Sequence, residues 1–348
     1  MGAGERGRGE DGMRAIGISR YGDASVLEHW DLPLGRPGEG EALVRVHYAG
    51  INFMDVHTRQ GKYATSPTYR VSLPLTLGVE GAGVVDSVGP GVTEFVAGDR
   101  VAWCLSWGSY AEYAVVPVAR LARVPDQLGL DVAAASIFQG CTAHYLVNDV
   151  ARLRPAMSCL VHGASGAIGQ LLVQMASARG VRIFATTSTD AKADVARRCG
   201  AEVTLHYANG TFADEVLAAT AGRGVDVVFD SLGAPTLRDS FRATARRGLV
   251  VNYGSVGGSL IDLDPIELGE AGSLSLIRPR LADFISTREE LQYRADDVFR
   301  SLYEGSLQVQ MSEEYSLDTV VDALAHLEGR RQIGKSLLRI GAPAATSR

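Results

Sequence analysis

At 348 residues the chain is long enough for two domains, and its 46% hydrophobic and 21% charged content describes a globular protein, not a disordered or fibrous one. A net charge of −6 gives no electrostatic footprint for nucleic acid or an anionic membrane, and no apolar run reaches the length of a membrane span. The four cysteines, Cys104, Cys141, Cys159 and Cys199, are widely spaced, with neither metal-ligand spacing nor a disulfide framework, which fits reduced thiols in the cytoplasm.

Residues 1–12 have no apolar core and read as a flexible tail, not a secretory signal, with Met13 as an alternative start. Residues 13–138 are β-rich. Runs at 13–18, 41–47, 83–88, 98–101 and 110–115 alternate or stay apolar between glycines and prolines, as in a compact barrel-like domain. A helix is expected to open near residue 131, with Asp131 as its cap.

Residues 139–277 alternate strand and helix, and the stretch 157–192 organises them. A short apolar run ending at His162 meets Gly163-Ala-Ser-Gly166-Ala-Ile-Gly169, which opens an amphipathic segment stopped by Gly180. A second apolar run then breaks into Thr186-Thr-Ser-Thr189. Gly163 and Gly166 allow a sharp turn and close approach to a pyrophosphate, Gly169 allows tight helix–strand packing, and free N–H groups at the helix start face an anion. Beyond it, helices are expected over 191–199, 212–220 and 237–245, and strands over 202–207, 225–230 and 248–254. That alternation gives a doubly wound parallel sheet. Residues 278–348 add amphipathic helices over 287–303 and 317–327 and a last strand over 335–340.

The end of the second strand of a dinucleotide site selects the cofactor. An acidic residue there bonds the 2′-hydroxyl of NAD, whereas this chain has Thr186, Thr187 and Ser188, with Lys192 shortly after. Hydroxyls and an ammonium suit a 2′-phosphate, so NADPH is the expected cofactor; Asp190 is close but falls past the strand end.

Several blocks together carry a family resemblance. They are Gly50-Ile-Asn-Phe-Met-Asp55, Gly78-Val-Glu-Gly-Ala-Gly-Val-Val85, Gly98-Asp-Arg-Val101, Gln139-Gly-Cys-Thr-Ala-His-Tyr-Leu146, His162–Gly169, Asp230-Ser-Leu-Gly233, Arg278-Pro279 and Gly334-Lys-Ser-Leu-Leu338. Over nearly its whole length the chain resembles the medium-chain dehydrogenase/reductase superfamily, and within it the zinc-independent quinone oxidoreductases related to zeta-crystallin. The resemblance implies an α/β protein. A GroES-like catalytic domain over 13–138 would be followed by a Rossmann NADPH-binding domain over 139–277, and 278–348 would return to the first. It also implies an active site in the cleft and a homodimer or homotetramer, often paired through the Rossmann sheet edge; homodimer is the expectation. Asn52 and Val79 stand where zinc-dependent relatives have cysteine and histidine, and the lobe of four cysteines is missing, so no metal is expected.

Carried over by position, Asn52, Phe53, Asp55 and Tyr63 line the nicotinamide end, and Thr142 and Tyr145 touch the cofactor. Ser165, Gly166, Ala167 and Ile168 hold the pyrophosphate. Ser188, Lys192 and Tyr207 hold the adenosine 2′-phosphate end with Arg330, and Leu232, Gly254, Ser255 and Arg280 contact the rest. His57 stands where some relatives have tyrosine, and residues 64–73 form a longer segment than usual. Without a metal, the acceptor must take hydride readily, as quinones and conjugated enones do. Asn52 is the candidate donor to the oxygen that becomes anionic, and His57 the candidate acid. Asp55 reads as a brace for Asn52, His162 as core, and His144 as helix surface or interface.

The expected function is NADPH-dependent reduction of a quinone. The alternatives are an enoyl or alkenal reductase acting on a C=C bond, for instance in secondary metabolism, and a non-catalytic NADPH-binding sensor.

Overall fold

The computed structural model describes residues 12–207 and 210–341 and divides into two compact units. Unit 1 comprises residues up to 138, 287–295 and from 311 on; unit 2 comprises 139–286 and 296–310. The C-terminal stretch therefore does not return in one piece at 278: residues 278–286 and 296–310 belong to unit 2. Of the expected tail only Gly12 is described, and it begins the first strand.

Unit 1 opens with β1 (Gly12–Ile18), β2 (Glu28–Pro33) and β3 (Glu41–Gly50), then the helix α1 (Phe53–Arg59). Next come β4 (Leu75–Thr76), β5 (Glu80–Val88), β6 (Arg100–Cys104), β7 (Tyr113–Pro117) and β8 (Leu121–Arg123). The helix α2 (Leu130–Tyr145) carries the chain from unit 1 into unit 2. It starts one residue earlier than expected, so Asp131 lies inside the first turn instead of capping it.

The strands expected at 98–101 and 110–115 begin two and three residues later, because Gly98 and Asp99 form the turn into β6 and Tyr110 is held by its own backbone bonds to Ile16 and Leu77. β1 pairs β2 and β4 in a small antiparallel sheet. The larger sheet runs in the order β15-β16-β3-β5-β6-β8, with β7 also on β3. Its last members are β15 (Met311–Tyr315) and β16 (Lys335–Arg339), from the far end of the chain. β7 pairs the first half of β3 and β16 the second, so one long strand is covered by two short ones.

Unit 2 contains β9 (Ser158–His162), α3 (Ala167–Ser177), β10 (Arg182–Thr187), α4 (Asp190–Arg198) and β11 (Val203–His206). It continues with α5 (Phe212–Ala219), β12 (Val225–Asp230), α6 (Leu237–Ala243), β13 (Thr244–Asn252), α7 (Ile266–Glu270), β14 (Ser275–Ile277) and α8 (Leu281–Phe284). α9 (Arg288–Tyr303) has its first half in unit 1 and its second in unit 2, and α10 (Val320–Glu328) belongs to unit 1. Every residue of β9 is buried, as a central parallel strand requires. The six strands are parallel in the order β11-β10-β9-β12-β13-β14, the doubly wound order with its reversal between β9 and β12. Helix α6 stops two residues before the expected end, because Thr244 already pairs with Val225 at the start of β13. Aromatic and branched side chains, among them Phe184, Phe212, Phe229 and Phe241, fill the space between sheet and helices.

Candidate functional site

Each unit carries its own group of candidate residues. In unit 1, β3 ends at Gly50 and the chain turns through Asn52 into α1. Asp55, in the first turn of that helix, is fully buried. Its carboxylate accepts the Asn52 N–H (2.9 Å), the Val79 N–H (3.0 Å) and the Tyr110 hydroxyl (2.9 Å). Burial pushes Asp55 up to about 7 against the pull of those donors. It therefore braces the entry to α1 and is sequestered from a ligand, which corrects its assignment as a direct cofactor contact.

Asn52 is committed in the same way. Its amide donates to the Gly50 carbonyl (3.1 Å) and to Glu80 Oε2 (3.0 Å), and its oxygen accepts from Lys335 Nζ (2.8 Å). Both amide hydrogens are thus engaged inside unit 1, so the expected donation to a substrate oxygen is not the arrangement found. Lys335 Nζ also lies 2.7 Å from Glu80 Oε2 and 3.1 Å from the Ile51 carbonyl. Glu80 Oε1 accepts the Phe138 N–H (2.8 Å). The Glu80 and Lys335 side chains are 0% and 1% exposed, so a buried ion pair bonded to Asn52, the Ile51 carbonyl and the Phe138 N–H stands where bulk water is excluded. Gly50 makes room for it: a Cβ there would meet Glu80 Oε2 at 2.0 Å. Glu80 and Lys335 each lie in a block that carries the family resemblance, but nothing local in the sequence links residues 255 positions apart.

His57 and Tyr63 lie at the partly exposed end of α1 and just beyond it. The Tyr63 hydroxyl is 3.4 Å from His57 Nδ1, and the Tyr63 ring meets Tyr69 edge-on at 5.5 Å. The Phe53 ring is tilted against the imidazole, 6.3 Å between centroids. Burial, aided by the Lys62 charge, pushes His57 down to about 4. The ring is neutral near pH 7, which corrects the expectation of a histidine poised to donate a proton there. It lies in the last turn of α1.

A zinc site does not fit these residues. Val79 offers no donor side chain, and the Asn52 amide is spent on Glu80, Gly50 and Lys335. Among the described residues no group of three or more His, Cys, Asp or Glu side chains is placed to hold a metal ion.

In unit 2 the glycine turn fits a pyrophosphate. Gly163 has φ +63°, and a Cβ on Gly169 would stand 2.3 Å from the Gly163 carbonyl oxygen. Gly166 is the N-cap of α3 in extended backbone and no side chain caps the helix, so the N–H groups of its first turn, at Ala167 and Ile168, are presented to an anion. Ser165 is tied beneath the turn, its carbonyl accepting from Gln170 (2.8 Å).

At the end of β10, Thr186 and Thr187 are buried and Ser188 is exposed. Thr189 caps α4 by accepting the Lys192 N–H, which sets Lys192 in the first turn of that helix. Asp190 is exposed, its carboxylate 3.2 Å from His206 Nε2. Tyr207 is half-buried against the core of unit 2. Leu232 is held by the bond from its N–H to Asp230, and Gly254 is close-packed on Ser231, where a Cβ would come within 2.5 Å of the carbonyl. Ser255 follows Gly254 and accepts from the Gly258 N–H.

Thr142 is buried on α2, and the Tyr145 ring stacks on Phe284 at 4.2 Å, a packing role beside any contact of its hydroxyl. Arg280 pairs with Asp283 (3.1 Å). Arg330 belongs to unit 1, just after α10, and is not grouped with the β10 residues within unit 2. His144 is buried and bonded to Asp297 (3.1 Å) instead of lying on the helix surface. His162 is core, as expected.

Comparison with known proteins agrees with this architecture. The model of the alcohol dehydrogenase GroES-like domain matches residues 38–126, and that of the zinc-binding dehydrogenases matches 167–291. The chain is 35% identical to the quinone oxidoreductase of Pseudomonas aeruginosa over 93% of its own length and 99% of that protein's. It is 34% identical to a 2-haloacrylate reductase of a Burkholderia species, over 94% and 98%. The crystal structure of Escherichia coli quinone oxidoreductase complexed with NADPH superposes with a TM-score of 0.89 at 33% identity, covering 94% of this chain and 99% of that one. A two-domain GroES-like and Rossmann architecture with these relatives places the chain in the medium-chain dehydrogenase/reductase superfamily, among the quinone oxidoreductases.

Proposed function

We propose that the protein is an NADPH-dependent oxidoreductase that reduces quinones without a metal. The observation that carries this reading is the glycine turn at the uncapped start of α3, together with the hydroxyls and Lys192 that follow β10, where the nearby Asp190 pairs with His206. The NADPH complex of the Escherichia coli relative supports it.

When bound, the dinucleotide supplies the hydride. Ser165, Gly166, Ala167 and Ile168 hold the pyrophosphate, Ser188 and Lys192 the 2′-phosphate, and Leu232, Gly254 and Ser255 the segment between. Tyr63 is the hydroxyl that faces the acceptor oxygen as it gains negative charge, and His57 orients it as a neutral partner. Asn52 acts at one remove, fixing the turn that carries them. Metal independence rests on the ammonium and amide chemistry around Asn52.

The experiment is NADPH oxidation by the purified protein with a panel of quinones and enones, run beside NADH and beside Lys192→Ala. Quinone turnover with NADPH well above NADH, and loss of that preference in the variant, is expected. Equal use of both cofactors would overturn the Lys192 assignment.

The 2-haloacrylate reductase relative favours a second reading, reduction of an activated C=C bond; a saturated product from the enones with no quinone turnover would select it. We place the protein in the cytoplasm, where four cysteines outside any disulfide stay reduced; among the described residues no helix is long and apolar enough to cross a membrane. We assign a homodimer. The sheet edge at β14 with exposed Ile277, and the exposed Ile261 and Ile266, supply an apolar surface in unit 2, and sedimentation of the purified chain tests it.

A further inference from the structure

His162 is fully buried at the end of β9, and each of its ring nitrogens has a partner from a different element. Nδ1 lies 2.7 Å from Thr186 Oγ1 at the end of β10, and Nε2 lies 3.0 Å from Ser240 Oγ on α6. Ser240 donates its single hydroxyl proton to Asp230 Oδ2 (2.9 Å) at the end of β12. Toward His162 the serine oxygen can then only accept, so Nε2 carries the ring proton. Burial keeps the ring neutral, which leaves Nδ1 as an acceptor and makes Thr186 the donor.

The chain of bonds runs one way: Thr186 to His162, His162 to Ser240, Ser240 to Asp230. It ends on a carboxylate whose remaining positions are filled by Thr236 Oγ1 (2.9 Å) and by the N–H groups of Leu232 (2.8 Å) and Gly233 (2.9 Å). Two backbone links tighten the knot. The Ala164 N–H in the glycine turn donates to the Thr186 carbonyl, and Ser231 Oγ donates to the His162 carbonyl.

We propose that His162 is a positioning residue for the dinucleotide, which as the Nε2–H tautomer ties the 2′-phosphate end at β10 to the Asp230–Gly233 turn and so sets the preference for NADPH over NADH. This rests on the reading of unit 2 as an NADPH site. With its hydroxyl drawn inward by His162, Thr186 holds the strand end from which Ser188 and Lys192 project. Slack in that bond misplaces the two groups that meet a 2′-phosphate and leaves the pyrophosphate turn, which both dinucleotides use, largely intact.

The test uses the full chain and its Thr186→Val and Ser240→Ala variants, alone and together, with NADPH and NADH dissociation constants from fluorescence titration. Each single change is expected to weaken NADPH about 5- to 10-fold, the scale of one lost hydrogen bond, and NADH by less than about 2-fold. The two altered side chains act through one imidazole, so the double variant should lose no more than the worse single. An unchanged NADPH-to-NADH ratio in Thr186→Val, or losses that multiply in the double variant, would overturn the proposal. Nitrogen-15 NMR of histidine-labelled wild-type protein reads the tautomer without any variant: an Nδ1–H ring or an imidazolium at His162 near neutral pH would also sink it. No NADPH binding by the wild-type chain would remove the functional reading itself, and a wild type that prefers NADPH beside additive variants would remove only the role of His162.

Discussion

Replacing Lys335 by Met tests the buried centre of unit 1. The ammonium makes three contacts, at 2.7, 2.8 and 3.1 Å, with Glu80, Asn52 and the Ile51 carbonyl. Methionine fills much of the same volume and offers none of them, so Glu80 keeps its buried charge, still beside the Asn52 amide and the Phe138 N–H but without the ammonium. Removing one member of a buried pair costs about 3–5 kcal/mol, several times the effect of an exposed pair. All three tryptophans, Trp30, Trp103 and Trp107, lie in unit 1, so intrinsic fluorescence during urea unfolding follows the unit that holds the lesion. With a urea dependence of about 3 kcal/mol per molar, the midpoint should fall by about 1–2 M. Adding Glu80→Gln to Lys335→Met removes the stranded charge and should recover at least half of the loss. A loss below about 1 kcal/mol, the level of an exposed pair, would refute the reasoning, and so would a double variant whose losses simply add.

Four further outcomes are expected. His57→Phe should leave the pH profile of kcat/KM unchanged from roughly pH 6 to 8, because the folded ring is already neutral there; a lost limb near neutrality would restore the acid role. The same variant should flatten the stability profile. As pH drops from 6.5 towards about 4, unfolded wild-type chain takes a proton at His57 that the folded ring refuses, so the wild type loses stability over that window and His57→Phe loses less. Gly169→Ala should weaken NADPH and NADH alike by about 10-fold or more, since its Cβ meets the Gly163 carbonyl at 2.3 Å; calorimetric titration showing wild-type affinity would contradict the close-packed turn. In the folded protein, iodoacetamide should modify Cys199 first. Cys159, whose thiol burial pushes up to about 12, should react only on unfolding, and mass spectrometry finding it modified in native buffer would contradict that.

Unit 2 was largely legible because its rules are local. An apolar run, a glycine turn and an amphipathic run determine strand, turn and helix within 20 or so residues, and strand order follows from the alternation. Boundaries slipped where tertiary pairing overrode propensity, as at Thr244, where a helical pattern yields to a strand bond with Val225. Unit 1 was less legible. The helix α1 was not anticipated, since seven residues rich in polar and β-branched side chains show no clear period, and its entry is fixed instead by Asp55 reaching back to Asn52 and across to Tyr110. The roles first given to Asn52 and His57 failed for the same reason. Their residue types suit donation and proton transfer, but burial and distant partners decide what an amide or imidazole has left to offer, and those partners are Glu80 and Lys335 for one and a low-dielectric wall for the other.

The position of β16 has a consequence for how the protein is made. Synthesis delivers β3, β5 and Glu80 early, yet the strand that covers the second half of β3, and the ammonium that neutralises Glu80, lie at residues 335–339. Until those residues leave the ribosome, the nascent first unit holds an open sheet edge and a carboxylate that cannot be buried at low cost. Unit 2, complete once residue 310 has emerged, can fold before it. The segment translated first is thus the one finished last, and a chain cut short between residues 310 and 335 would hold a complete dinucleotide unit and a β3 paired with β5 and β7 but open along its second half for chaperones to shield.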